Sequence, residues 1–463
     1  MVWLVVGLVA PAAIAWLFLV GRPLASAGCA YKAKILCSAL FISKRKTEDI
    51  LATDVGTDDL APLRHFSWTI DASARTVTVS LWGLISRTVA CRPIGGCALQ
   101  YTGTPDAGLV TIQETGISPP RSHRITPRYD SMDKAIVPAE IDRALLLRAL
   151  DNAFAGSSDS SHPRTRAVVV LYKGRLIAER YASGLNPDTP LLGWSMTKTV
   201  INALTGILVG EGRLSLFDRL PLSLWRDESD PRRVITADQL LRMTSGLQFR
   251  EDYRSPLKDV VKMLLESPDA AAYAAQKPLH SRPGTAWHYS SGNTNILSRS
   301  LREAMGSLQE YLRFPRRALF DPLGMDSAVM ETDASGTFVG SSFMYATARD
   351  WARLGLLYLR DGVWEGQRIL PEGWVDYTVR QTPEAAEAGY AAHVWLRIPK
   401  ELRPPTARPS NLPCSFHAAG YEGQFISVIP SRHLVVVRLG LTRRPEAWDH
   451  EKFLYRILEA IPA

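Results

Sequence analysis

The chain has 463 residues, 46 % hydrophobic and 22 % charged, which leaves room for a large and a smaller domain with a sizeable buried core. Its net charge of +8 comes mostly from scattered arginines, with no basic stripe interleaved with aromatics, so nucleic-acid binding has little support.

Residues 2–21 carry no charged side chain, and at about 1.5 Å per residue they are long enough to span a bilayer core of about 30 Å. They read as a membrane anchor or uncleaved signal within a segment 1–24. A cleavable signal is the alternative, because Ala25-Ser26-Ala27 is an A-x-A pattern. Arg22, Lys32 and Lys34 follow the run and favour keeping that flank in the cytoplasm, but large domains translocate despite such charges. The expectation is a membrane-anchored chain with a periplasmic or extracellular catalytic domain. Residues 25–135 mix strand-like runs such as RTVTVSLWGLISRTVACRP with turn-rich stretches, and their fold is left open. Four of the five cysteines lie here; Cys37 with Cys97 is the expected disulfide, and free thiols are the alternative.

From 136 the character changes. PAEIDRALLLRALDNAF has helical periodicity, and AVVVLYKGRLIAERY is two β-rich runs around a Lys173-Gly174 turn. The middle, from 195 to about 385, is mainly helical; in ITADQLLRMTSGL, Thr236 and Gln239 form a capping box and Gly246 is placed to close the helix. Strand character returns in FISVIP and LVVVRLG, followed by a closing helix. Strands at both ends with helices between them predict an α+β domain over 136–463, whose ends meet in one antiparallel sheet.

Serine three residues before lysine occurs four times, at Ser43/Lys46, Ser131/Lys134, Ser195/Lys198 and Ser255/Lys258. Only Ser195 sits where a loop meets a long apolar helical run, and there residues three apart share a face, so Lys198 reaches the Ser195 hydroxyl near the free amides of a helix start. Two later clusters also carry chemistry. In WHYSSGNTNILS, Tyr289 is a candidate proton relay between a lysine and a serine. In FHAAGYEGQFISVIP, small residues at Ala418, Ala419 and Gly420 allow close approach of backbone to a ligand, and an amide there can supply half of an oxyanion hole. The GxSxG, Walker, GxGxxG and HExxH patterns are missing, as is any histidine or cysteine spacing for a metal, so neither metal nor cofactor is expected.

Taken in order, SMTK, YSS and AAG resemble the three motifs of the penicillin-recognising serine hydrolases: class C β-lactamases, DD-peptidases, and related esterases and 6-aminohexanoate-dimer hydrolases. The phrases ITADQLLRMTSGL, ARDWARLGLLYLRDGVWEGQRILPEGWV and GYEGQFISVIPSRHLVVVRLG extend the resemblance over about 140–445. It implies an antiparallel sheet flanked by helices with an all-helical subdomain. It also implies Ser195 as nucleophile, Lys198 and Tyr289 as its proton-handling partners, and Ser291 as the third residue of the second motif. The oxyanion hole then falls to the amides of Ser195 and Tyr421, the latter following Gly420, with Gln424 as the alternative position. Trp194, Tyr253 and His417 are further candidates to line the substrate pocket.

The departures narrow the substrate. Where β-lactam-active relatives carry a lysine and a threonine that hold a carboxylate, this chain has Ala418 and Ala419, and Tyr-Ser-Ser lacks their asparagine. The expectation is hydrolysis of a small ester, amide or peptide-like compound through an acyl-serine, closer to the esterase and 6-aminohexanoate-dimer-hydrolase branch. A β-lactamase, a DD-carboxypeptidase or a non-catalytic sensor are the alternatives.

Overall fold

The structure is a computed structural model that describes residues 17–103, 137–156, 162–405 and 412–462. Helix α1 (Arg22–Phe41) runs unbroken across the expected boundary after residue 24. Its small residues Ala27, Ala30 and Ala33, with Leu36 and Cys37, share one core with Val77, Val79 and Val89. Those valines belong to an antiparallel meander of β1 (Ser67–Asp71), β2 (Thr76–Leu81), β3 (Ile85–Cys91) and β4 (Cys97–Leu99). The stretch Leu19–Phe41 is long and apolar enough to cross a membrane, yet 67 % of its most apolar window is buried against the protein itself.

The two lysines of α1 explain why this helix lies within protein. Lys32 Nζ donates to the carbonyls of Leu63 and Phe66 at 2.9 and 2.7 Å. Lys34 pairs with buried Glu331 and sits 4.3 Å from the centre of the Phe343 ring. A buried ammonium without such partners costs several kcal/mol. The A-x-A pattern lies in this helix with Ala25 and Ala27 buried; residues 2–16 of the apolar run lie outside the described residues. The expected Cys37–Cys97 disulfide is not formed: all five cysteines are thiols, and Cys97 stands opposite Cys91 in the β3–β4 register.

Helix α2 (Arg143–Ala153) starts at Asp142, whose carboxylate accepts from the amides of Ala144 and Leu145 at 2.9 and 3.0 Å. The hairpin β5 (Thr165–Tyr172) and β6 (Arg175–Tyr181) turns at Lys173 and Gly174, both left-handed, the geometry that matches strand twist in two-residue loops. Between this hairpin and the C-terminal strands lie α3 (Thr197–Gly210), α4 (Ala237–Leu241), α5 (Ser291–Met305) and α6 (Ala348–Leu359). The Thr236–Gln239 capping box is present at α4. Gly246 does not close that helix, which ends at Leu241; its absent side chain instead admits the carbonyl of Ser281, 2.2 Å from where a Cβ would stand.

The chain then forms β7 (Phe416–Gly420), β8 (Gln424–Ile429), β9 (Leu434–Gly440) and α7 (His450–Glu459). The five-stranded order is β7-β8-β9-β5-β6, antiparallel throughout, so first and last strands of the domain pair as the sequence implied. Val168, Val170 and Val436 face α2 and α7, whereas Val169, Val435 and Val437 face α6. Cover on both faces explains the unbroken apolar runs in β5 and β9. Gly355 brings α6 close, because a Cβ there would meet Ile426 and Val435 at 2.7 Å.

Candidate active site

The turn before α3 is built tightly. Gly193 donates to the carbonyl of Met344 at 2.9 Å, Trp194 is held in the left-handed region at φ 49°, and Ser195 follows in a single 3-10 turn that runs into α3. A left-handed tryptophan is costly and persists only where its surroundings hold it. Its indole Nε1 donates to Glu422 Oε2 at 3.0 Å, and its ring packs edge-on against Tyr253 and Tyr421. Trp194 is thus 3 % exposed and braces the turn that carries Ser195, and its ring forms part of an aromatic wall.

Lys198, one turn along, is 1 % exposed. Its Nζ lies 2.9 Å from Ser195 Oγ, 3.1 Å from Ser291 Oγ and 3.0 Å from the carbonyl of Ser341. Burial pulls its pKa down to about 8, while the carboxylate of Glu251 pulls the other way. Glu251 in turn accepts from the Ser291 amide at 2.8 Å and from the Ser291 hydroxyl at 2.5 Å. Burial raises the Glu251 carboxyl, with Lys198 and the Ser291 hydrogen bonds opposing it.

Tyr289 closes the site from the helical side. Its ring lies 5.0 Å from Lys198 Nζ and packs against Tyr390 and Trp395. Burial, reinforced by Tyr390 and Glu251, pushes its phenol well above the ordinary range, and a hydrogen bond with Ser195 opposes that shift. At neutral pH the phenol is therefore protonated, so its expected role as a relay fits a proton donor and not a tyrosinate. On the opposite wall Tyr253 stacks on Tyr421 at 5.0 Å between ring centres, and its buried hydroxyl makes no hydrogen bond of normal length.

The end of β7 abuts Ser195. A Cβ on Gly420 would stand 2.4 Å from the carbonyl of Gly193 and 3.2 Å from the amide nitrogen of Ser195, so only glycine lets this strand end come so near. The amide of Tyr421 is next in the chain. Gln424 is elsewhere engaged: its side chain donates to the carbonyls of Tyr421 and Gly440 and accepts from the Gly440 amide, tying the β7–β8 turn to β9.

His417 does not line the pocket. Strand alternation turns it to the sheet face covered by α7, where it is 1 % exposed and bonds to Ser427 at 2.9 Å, which also bonds to His450. Sequence reasoning missed Glu251, Ser341, Asn295 and His393. Asn295 bonds to both the amide and hydroxyl of Ser341 and so fixes the carbonyl that faces Lys198. His393 spans the carbonyl of Lys198 and the hydroxyl of Thr294, locking α3 to α5. These residues sit in loops or on helix faces whose spacing carries no signal of its own; only Glu251, two residues from Tyr253 in FREDY, stood beside a suspected position.

The β-lactamase family profile matches residues 150–460. The chain belongs to the β-lactamase family. A 6-aminohexanoate-dimer hydrolase of Paenarthrobacter ureafaciens is 28 % identical over 226 residues, covering 46 % of this chain and 56 % of that protein, so the match spans little more than half of the relative's length. Among solved structures, a family VIII carboxylesterase superposes with a TM-score of 0.53 at 16 % identity, covering 71 % of this chain and 98 % of that one. A penicillin-binding protein homologue from Caulobacter crescentus gives 0.51 at 16 % identity, covering 68 % and 96 %. At such identities the likeness is one of fold. The family profile leaves α1 and the β1–β4 meander outside its bounds.

Proposed function

We propose that this β-lactamase-family protein is a serine hydrolase that cleaves small esters or amides through an acyl-serine intermediate. The observation that carries the reading is the set of acceptors around Lys198. The Ser291 hydroxyl spends its one proton on Glu251, so toward Lys198 it can only accept, and the Ser341 carbonyl can only accept as well. A neutral Lys198 amine commits its two N–H bonds to them. Its lone pair then has one partner left, the hydroxyl of Ser195.

In this mechanism Ser195 Oγ attacks the acyl carbon as its proton passes to Lys198. The oxyanion forms between the amides of Ser195 and Tyr421, where fixed donors are worth more than in water. The protonated phenol of Tyr289 gives its proton to the leaving alkoxide or amine, and Ser195 Oγ remains acylated. Tyr289 recovers a proton from Lys198. Water, deprotonated by the same lysine, then attacks the acyl carbon and releases the acid, returning the proton to Ser195.

The walls Trp194, Tyr253 and Tyr421 on one side and Tyr289 and Trp395 on the other are aromatic, and Ala418 and Ala419 are buried in the position where a carboxylate-binding pair would stand. Both features support an uncharged acyl group. The uncharged run 2–21 supports attachment to a membrane, and the catalytic domain is placed on the periplasmic or extracellular side as part of the same proposal, against the pull of Arg22, Lys32 and Lys34. A fluorophosphonate probe tests the reaction: it labels the wild type, and Ser195→Ala abolishes labelling. Undiminished labelling of Ser195→Ala would place the nucleophile elsewhere.

A further inference from the structure

The β2–β3 hairpin ends in a three-residue loop, Trp82–Leu84, in which the Leu84 amide donates to the Leu81 carbonyl at 3.0 Å, making Trp82 and Gly83 the central residues of the turn. Both turn residues are left-handed, at φ 53° and 71°. Asparagine, aspartate or glycine suits the first of these positions; a large aromatic there is strained. Burial of the ring would offset such a cost, but Trp82 is 82 % exposed, as is Leu84. The fold leaves most of both side chains in the open.

The tip has a particular neighbour. The Cys29 thiol contacts the Ile85 carbonyl at 3.7 Å, Arg87 donates to Ser26 at 2.9 Å, and Arg22, Pro23, Leu84 and Ile85 line one common cleft. The hairpin therefore stands at the N-terminal end of α1, where Leu19 and Leu24 are 72 % and 49 % exposed and where the uncharged run 2–21 joins the fold. Arg22 is exposed beside them, and Lys262 lines the same cleft. Exposed tryptophan and leucine at the root of an uncharged apolar run, with Arg22 and Lys262 in the adjoining cleft where Glu266 is already paired with Arg87, match the interfacial layer of a bilayer: the indole suits the headgroup level and the two cations suit lipid phosphates.

We propose that the Trp82–Leu84 hairpin tip, with Leu19 and Leu24, is a second membrane contact that seats the protein on the bilayer at the base of its N-terminal run. This proposal rests on the membrane attachment inferred above and not on the catalytic reading. The full chain is reconstituted in phosphatidylcholine/phosphatidylglycerol vesicles with and without brominated acyl chains, and the emission of Trp82 is taken as wild type minus Trp82→Phe. A tip lying about 5–10 Å into the headgroup/acyl boundary loses this emission at least about twofold in brominated vesicles.

Trp82→Asn/Leu84→Ser, which relieves the strained turn, keeps the fold and fluorophosphonate labelling, and it loses protection of the hairpin from protease on vesicles. A chain that floats with vesicles while its Trp82 emission is unquenched overturns the hairpin contact and leaves the anchor standing. A chain that does not float overturns both. Cross-linking of the tip to a second copy, with no quenching, assigns the surface to self-association and overturns the proposal.

Discussion

Ser291 gives both its amide and its hydroxyl to one carboxylate, that of Glu251, at 2.8 and 2.5 Å. The carboxylate thereby sets which way the Ser291 proton points and adds a negative charge near Lys198. Acylation by a p-nitrophenyl ester is expected to rise with pH to a plateau, with an inflection near the Lys198 value of about 8, because the amine reacts only when neutral. Removing the carboxylate charge removes what holds that pKa up. Glu251→Gln should therefore move the inflection below 8, and a stopped-flow pH profile reads the shift directly. An upward move would contradict the arrangement.

Lys198→Ala deletes the proposed base and leaves the proposed nucleophile, Ser195. The acylation rate should fall by about 10²–10⁴-fold, the usual worth of general-base catalysis. Binding of a non-reactive ester analogue should change little, as a comparison of burst kinetics with equilibrium binding would show.

Gly420→Ala puts a methyl 2.4 Å from the Gly193 carbonyl and 3.2 Å from the Ser195 amide. Either the strand end or the nucleophile turn must retreat. Displacing one oxyanion donor costs about 10²–10³-fold in kcat, so kcat should drop by that order while thermal unfolding shows a fold that persists. Unimpaired kcat would place the oxyanion away from β7.

A chromogenic cephalosporin should be a poor substrate. Its carboxylate finds Ala418 and Ala419 where a cation and hydroxyl would be needed, and a lost charged hydrogen bond of about 1.5–3 kcal/mol corresponds to a roughly 10–100-fold lower kcat/KM. Parallel assays against short-chain p-nitrophenyl esters and linear amides measure this ratio; faster turnover of the cephalosporin would reverse the substrate assignment.

Three histidines are buried neutral: burial lowers His393 and His417 to about 3, and His450 well below its ordinary value. Below 6.5 the unfolded chain takes up protons that the folded chain refuses, so stability is fully present above that pH and falls as pH drops from 6.5 toward 3. Each site contributes a loss of about 1–2 kcal/mol between pH 6.5 and 5. Urea midpoints at pH 7 and pH 5 should differ accordingly, and His417→Gln should reduce the difference.

The sheet was legible because β5 and β9 carry doubly buried apolar runs and the capping box at Thr236 is a local pattern. Ser195 and Lys198 were legible for the same reason: three residues on one helix turn need no tertiary knowledge. Glu251, Ser341 and His393 come from separate loops, and their convergence on Lys198 depends on packing that no window of sequence contains. His417 was misjudged because strand alternation was not followed through FHAAG, which turns residue 417 toward α7. The expected anchor run 2–21 lies mostly outside the described residues, and the helix that follows it, α1, is held within the protein by the partners of Lys32 and Lys34, which no local pattern announces.

Arg443 joins Glu422 at 2.8 Å, each side chain 4 % exposed, and it also donates to the backbone carbonyls of Asp54 and Thr57. The hydrolase fold is in this way stitched to residues that precede the family match. An expression clone cut to residues 150–460 would strip Lys34 from Glu331 and the carbonyl partners from Arg443, baring ionised groups and an apolar flank together. Such a fragment is expected to aggregate in the cell, whereas a clone starting near residue 17 retains every one of these partners.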